Sequence, residues 1–372
     1  MRAILLSGGI ALLLSLIGTR FAIVQFTRLG YGQPIREDGP TTHLVKRGTP
    51  TMGGVAIVLS TVVGYFAAML LTGGTPSATA YLLLFLLVGM AVVGFLDDFI
   101  KVVMQRNLGL RGRAKIVGQT IVAVVFGVLA LHSSMADADG VTPASDRLSF
   151  IRDFGPHLLG GSGPLYWAGG AVLLTVIWVM VTGTSNATNL TDGLDGLVAG
   201  SAALVFATYT IISIWQSNQR CGRTGLEGGT CYEVRDPLDM AILAAAIAGA
   251  CFGFLWWNAS PAKIIMGDTG SLALGSVLAG FAITSRTELL LIIIGGLYVM
   301  ETVAVMMQVS WFKLTRKLTG TPKRIFRMTP IHHHFEMLGW EQVTVTIRFW
   351  IITGLCVAAG LGIFYAEWVA GI

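Results

Sequence analysis

Charge is what this chain has least of. Of its 372 residues only 12% are Asp, Glu, Lys or Arg, while 54% are hydrophobic; soluble domains usually carry about 25% charged residues. No charged residue occurs between Arg47 and Asp97, from Phe154 to Thr191, or from Met240 to Ala262. Such runs suit lipid and exclude an ordinary water-soluble globule. Cysteine is scarce too, with four in the chain, no CxxC and no Cys/His spacing of the zinc type. Cys251 and Cys356 fall inside apolar runs, whereas Cys221 and Cys231 share one loop. A disulfide between that pair is open in an oxidising compartment, and spacing alone does not decide it.

What is abundant is apolar sequence in lengths of roughly 20 residues, enough for a helix to span a bilayer. About ten such runs occur, over 3–22, 53–72, 79–97, 116–135, 166–185, 194–215, 239–257, 269–286, 289–311 and 346–367. The first has no small-residue cleavage site and several basic residues after it, so it reads as a retained helix and not a signal peptide. The expected fold is an all-α polytopic integral membrane protein, a single membrane-embedded domain over 1–372. Alternating the spans puts 18 of the 25 Lys and Arg on one side. By the positive-inside rule that side is cytoplasmic and both termini lie outside. The net charge of +5 is therefore a topology signal, and a nucleic-acid partner is not expected. The loop 136–165 reads as a connector.

Five aspartates lie at the cytoplasmic ends of these spans: Asp97, Asp98, Asp192, Asp195 and Asp268. Asp192 and Asp268 would open outward-running helices, where a carboxylate also serves as a cap. Asp97 and Asp98 close an inward-running helix, whose negative end disfavours adjacent carboxylates, although Lys101 offsets part of that. Acids at a membrane boundary suggest function, and oxygen-only ligands suit Mg²⁺.

Donors for phosphate surround them. Asp268 sits in Met266-Gly267-Asp268-Thr269-Gly270-Ser271, where backbone N–H groups can approach an anion at a helix start. Asn186, Asn189, Asp192 and Asp195 share one short run, and Lys46, Lys101 and Lys115 come from two other cytoplasmic loops. The last large loop carries Lys323, Arg324, Arg327 and then His332, His333 and His334. These histidines suit phosphate or proton transfer; the same segment also fits a basic amphipathic stretch on anionic lipid. Glu301, deep in the ninth span, is either functional or a hydrogen-bonding group between helices.

The segment from Lys46 through Thr51 to Met52-Gly53-Gly54, Asp97-Asp98-Phe99-Ile100-Lys101, the run Asn186 to Leu197, Asn258 with Met266 to Ser271, and Pro330 to Glu336 together resemble the phospho-N-acetylmuramoyl-pentapeptide transferases. This is a family within the polyprenyl-phosphate N-acetylhexosamine-1-phosphate transferases and glycosyltransferase family 4. The motifs occur in family order along nearly the whole chain, and His-His-His-Phe-Glu is the most specific of them. The resemblance implies a ten-helix enzyme of the bacterial plasma membrane, commonly a homodimer, acting at the cytoplasmic face. It further implies Mg²⁺-dependent transfer of phospho-MurNAc-pentapeptide from UDP-MurNAc-pentapeptide to undecaprenyl or decaprenyl phosphate, giving lipid I and UMP for peptidoglycan synthesis.

By matching motif, Asp97, Asp98 and Asp268 are the expected catalytic acids, with Asp268 the metal-associated one and Asp192 a second candidate. Lys46, Thr51, Lys101, Lys115, Asn186, Asn189, Asp192, Asp195, Asn258, Gly267, Gln308 and His332 to His334 are expected to line the substrate site. Many relatives carry an aromatic two positions before Gly267, suited to stacking on uracil, and this chain has Ile265. Direct attack of the lipid phosphate on the β-phosphorus, with Asp97 or Asp98 positioning or deprotonating it, is the expected mechanism, and an aspartyl-phosphate route is its rival. The alternatives in function are a sibling transferase for UDP-N-acetylglucosamine, which the histidine motif argues against, and an ion-coupled transporter, whose acids usually sit near the midplane.

Overall fold

The computed structural model describes residues 1–32, 48–104, 109–221 and 231–370. Twelve α-helices account for most of it. They are α1 (Arg2–Arg28), α2 (Gly54–Thr72), α3 (Ala78–Val103), α4 (Gly112–Leu131), α5 (Pro164–Thr191), α6 (Leu197–Asn218), α7 (Pro237–Asn258), α8 (Gly267–Thr284), α9 (Leu291–Ile294), α10 (Gly296–Thr319), α11 (Ile331–Glu336) and α12 (Gln342–Ala370). Local signals set several ends. The Ser77 side chain accepts from the Ala80 N–H at 3.2 Å and caps α3, Pro164 and Pro237 occupy the first turns of α5 and α7, and Gly73 and Gly320 close α2 and α10 in the left-handed region.

Among the described residues, eight helices are long and apolar enough to cross a membrane: α1 to α7 and α12. The protein is an all-α polytopic membrane protein. Two of the expected spans fall outside these eight. The run 269–286 corresponds to α8, in which every residue from Thr269 to Thr284 is buried; it meets protein on all sides and tolerates serines, threonines and glycines that lipid would not favour. The run 289–311 is not one helix. It breaks at Gly295 between α9 and α10, and a Cβ on the next residue, Gly296, would lie 2.7 Å from Cys356 Sγ on α12.

The centre of the bundle is α7 and α8. Small residues let helices approach there, as expected for packing in lipid, where apolar burial alone gives little drive. α1 lies along α7 with Ser7, Ala11, Ser15 and Thr19 buried, and Ser15 Oγ donates to the Ala250 carbonyl at 2.7 Å. Trp257 Nε1 of α7 donates back to the Leu16 carbonyl at 2.8 Å.

The loop expected as a connector is more built than that. It contains a two-stranded pair, β1 (Leu148–Ser149) and β2 (Asp153–Phe154), with Ser145 and Ser149 hydroxyls both donating to Asp153. Buried Arg286 donates to the carbonyls of Pro143 at 3.0 Å and Thr142 at 2.9 Å, tying this cap to the turn after α8. Cys221 and Cys231 form a disulfide. Arg152 donates to the Cys231 carbonyl and pairs with Glu367 of α12, so Cys231 is tied to the last helix.

Candidate active site

The ends of α3 and α5 and the start of α8 meet at one face of the bundle. α3 and α8 touch backbone to backbone, since a Cβ on Gly94 would lie 2.2 Å from the Asp268 carbonyl oxygen. That approach brings Asp98 to the free N–H groups of α8. One carboxylate oxygen accepts from the Asp268 N–H at 3.1 Å, and the other from the Thr269 N–H at 2.9 Å and the Thr269 hydroxyl at 2.7 Å. Asp98, expected to suffer at the negative end of its own helix, is compensated by the positive end of another.

Asp97 points elsewhere. It accepts from the Leu110 N–H at 2.8 Å and pairs with Lys101 Nζ at 2.5 Å. Asp268, its side chain 14% exposed, takes Lys115 Nζ at 2.6 Å and Lys101 Nζ at 3.1 Å on one oxygen. Its other oxygen accepts from Asn189 Nδ2 at 2.7 Å, which also reaches Ser271 Oγ at 2.9 Å. Asp97, Asp98 and Asp268 each offer an oxygen, all within 4.8 Å of one another.

Asp192 does not open α6. Its N–H bonds to the carbonyls of Thr188 and Asn189, so it ends α5, and the chain reverses through Gly193 and Gly196, the latter at φ 77°. Its carboxyl is pushed up to about 8, first by removal from water and then by the charges of Asp268, Asp98 and Asp195, against a Gly267 N–H that favours the anion. Asp97, Asp98 and Asp268 thus share two ammonium groups, those of Lys101 and Lys115, with the Asp192 carboxyl, which burial and these charges keep protonated, beside them. An oxygen-only cluster with a surplus negative charge, and a fourth carboxyl that a cation would ionise, fits a divalent hard cation.

The other expected residues divide. Gly267 is at the cluster, with φ 75° and a would-be Cβ 2.6 Å from an Asp98 oxygen and 3.1 Å from Thr51 Oγ1. His332 is fully buried. Its Nδ1 lies 2.9 Å from Glu301 Oε1, and its Nε2, without a hydrogen-bond partner, faces Gly193. His333 also reaches towards Gly193 and pairs with Glu336 at 2.6 Å. His334 instead accepts from the Arg327 N–H at 3.1 Å.

Asn186 sits one turn back from Asn189, donating to Gln119 at 3.0 Å. Asp195 accepts from the Ala262 N–H at 3.1 Å, and Asn258 ties the Gly196 N–H (3.1 Å) to the Ile264 carbonyl (2.8 Å). Gln308 accepts from the N–H groups of Ile325 and Phe326 at 2.9 and 3.0 Å. These polar groups hold the loops around the site. Lys46 lies outside the described residues. Ile265 exchanges backbone hydrogen bonds with Pro50 and Gly53.

Sequence reasoning did not single out Thr269, Ser271 or Gln119. Thr269 and Ser271 sit in the Asp268 motif, and Gln119 is one helical turn beyond Lys115, so proximity in sequence was the available signal. Glu301, left open above, bonds to both His332 and the Ile331 N–H, the latter at 2.9 Å; it is not a free midplane acid of the transporter kind. A cavity of about 710 Å³ opens at the opposite end of the bundle, lined among others by Asp139, Arg220, Asp236 and Asp239. Asp239 there is already held by the Tyr65 hydroxyl at 2.8 Å and the Ser77 N–H at 2.7 Å.

Residues 79–286 match the family model for glycosyl transferase family 4, and residues 46–58 match the phospho-N-acetylmuramoyl-pentapeptide-transferase signature 1. A Nocardioides protein named phospho-N-acetylmuramoyl-pentapeptide-transferase is 66% identical over 373 residues, covering all of both chains. The chain belongs to the phospho-N-acetylmuramoyl-pentapeptide transferases. Relatives of the same name from Cutibacterium acnes and Streptomyces avermitilis are each 54% identical, over all of this chain and 100% and 99% of theirs. Within this transferase the family match spans Asp97 to Asp268, the signature holds Lys46 and Thr51, and Gln308 and the three histidines lie beyond both.

Proposed function

We propose that this protein transfers phospho-MurNAc-pentapeptide from UDP-MurNAc-pentapeptide to a polyprenyl phosphate, releasing UMP and forming lipid I, at the cytoplasmic face of the bacterial plasma membrane. The observation that carries the reading is the convergence of Asp97, Asp98, Asp192 and Asp268 with Lys101 and Lys115 at one end of the bundle. Phosphoryl transfer needs mainly positioning and charge neutralisation, and this cluster offers both. Full-length similarity to proteins of that name supports the choice of substrate.

In the proposed reaction an oxygen of the lipid phosphate bonds to the β-phosphorus as the bond to the α-phosphate oxygen breaks, and UMP leaves. Mg²⁺ held by Asp268, with Asp97 and Asp192 beside it, would supply the positive charge that the diphosphate needs. Asp98 acts by holding the start of α8, because both its oxygens are engaged there. That leaves Asp97 as the acid of the pair to meet the lipid phosphate, where a modest base suffices for an already largely dianionic group. Lys101 and Lys115 balance the phosphate charge, Asn189 fixes the Asp268 carboxylate, and His332 presents Nε2 at the Asp192–Gly193 turn.

The test is purified protein with Mg²⁺, polyprenyl phosphate and each UDP-sugar in turn, scoring UMP and lipid product. Turnover with UDP-MurNAc-pentapeptide is expected, and activity with UDP-N-acetylglucosamine alone would overturn the assignment. Asp268→Asn is expected to abolish turnover while the protein still inserts in the membrane. A phosphorylated Asp trapped with nucleotide substrate alone would replace direct attack by the two-step route.

A further inference from the structure

The stretch from Thr302 to Phe335 holds six Lys and Arg and no Asp or Glu. Arg327 is used internally, donating to the Met337 carbonyl at 2.7 Å. The other five, Lys313, Arg316, Lys317, Lys323 and Arg324, are exposed and have no ion-pair partner among the described residues.

Geometry turns these charges into a shaped surface. α10 has 24 residues, about 36 Å at 1.5 Å per residue, and its Lys and Arg, Lys313, Arg316 and Lys317, all fall in the last seven of them. Charges of this kind are costly in hydrocarbon and are placed at the membrane surface, so the last turns lie there. At about 100° per residue its side chains divide into three faces. Glu301, Ala304, Gln308 and Thr315 are buried against the protein. Trp311, Leu314 and Leu318 form a second, exposed row at 42%, 46% and 72%, and Lys313, Arg316 and Lys317 a third, centred about 140° from the apolar row.

The chain then turns back at Gly320, φ 73°, and is fastened along α10. The Lys323 N–H donates to Thr315 Oγ1 at 2.9 Å, and Gln308 takes the N–H groups of Ile325 and Phe326 and donates to the Phe326 carbonyl at 3.1 Å. Lys323 and Arg324 are thereby set on the same ledge, with Ile325 exposed at 44% beside them.

We propose that this ledge binds the phosphate headgroups of anionic membrane phospholipids at the face that carries the aspartate cluster. The apolar row enters the boundary of the acyl region and the five cations meet the headgroups, the arrangement of an interfacial helix. The apolar row gives no purchase on a soluble anion, so the occupant is lipid. The chain passes directly from this ledge into α11, so anionic lipid is gathered next to His332 and the site. The proposal does not depend on the catalytic reading, because its readout is lipid binding.

Purified full-length protein in mild detergent is mixed with equimolar phosphatidylglycerol and phosphatidylcholine, and retained lipid is counted by native mass spectrometry. Phosphatidylglycerol is expected to be retained about tenfold more strongly, less so as salt is raised. The preference should vanish in Lys313→Gln/Arg316→Gln/Lys317→Gln/Lys323→Gln/Arg324→Gln. It should survive in the charge-keeping Lys313→Arg/Arg316→Lys/Lys317→Arg/Lys323→Arg/Arg324→Lys. No preference in the unaltered protein, its persistence in the neutral variant, its loss in the charge-keeping one, or displacement of the lipid by excess inorganic phosphate would each overturn the proposal.

Discussion

Asp97 and Asp98 are neighbours on α3 with different partners, so substitution should separate them. Asp98→Ala strips the start of α8 of three hydrogen bonds and should cost about 0.5–2 kcal/mol, as loss of a helix cap does. Asp97→Ala leaves that cap intact, and thermal unfolding in detergent should shift less; equal shifts would contradict the division of roles. Glu301→Ala leaves His332 and the Ile331 N–H buried without their acceptor, at about 1–3 kcal/mol for each unsatisfied group, and Glu301→Gln should lose less because an acceptor remains. On the opposite face, burial pushes the Glu288 carboxyl up to about 8, with Arg286 and Ser149 opposing. Its folded pKa lies above the unfolded value, so the neutral form favours folding. That stability is complete below about 4.5 and is lost as pH rises to about 8. Melting curves across that window should fall more steeply for the unaltered protein than for Glu288→Gln. Residues such as Asp97, Asp98 and Asp268 were legible because a charge in so apolar a chain stands out. That Asn258, Asp195 and Gln308 each bond backbone groups of neighbouring loops was not, since a polar side chain that serves a backbone group has the same sequence signature as one that serves a ligand.

At the scale of elements, the spans were legible from hydropathy wherever a helix faces lipid. α8 is an exception because it faces protein on all sides, and protein tolerates polar residues that lipid does not; α10 is another because Glu301, Gln308 and Lys313 interrupt its apolar sequence. The break at Gly295 was hidden inside an apolar run, where a glycine pair gives no change of polarity. The helix reversal after Asp192 was misjudged because a carboxylate before an apolar run reads as a helix start. Close approach of helix backbones is testable here. Gly94→Ala would force α3 away from the Asp268 carbonyl and pull Asp98 from the α8 terminus. Both melting temperature and turnover should fall, and an unchanged variant would mean that the contact does not hold the site together.

For the whole molecule, the disulfide links orientation to chemistry. Cys221 and Cys231 are bridged at the end of the bundle remote from the aspartates, as an outward loop in an oxidising compartment allows. In intact cells, a membrane-impermeant thiol label should reach them only after an impermeant reductant, whereas a cytoplasmic placement would leave them unlabelled under any such treatment. The chain order adds a constraint on assembly. The carbonyl that receives Ser15 of α1 belongs to Ala250, 235 residues later. At about 5–20 residues per second, the ribosome needs roughly 10–50 s to deliver it. Throughout that interval α1 waits in the membrane with Ser7, Ser15 and Thr19 facing no α7. The first helix made is among the last to find its seat, and a chaperone or insertase that shelters its polar stripe during the wait has a window of that length in which to act.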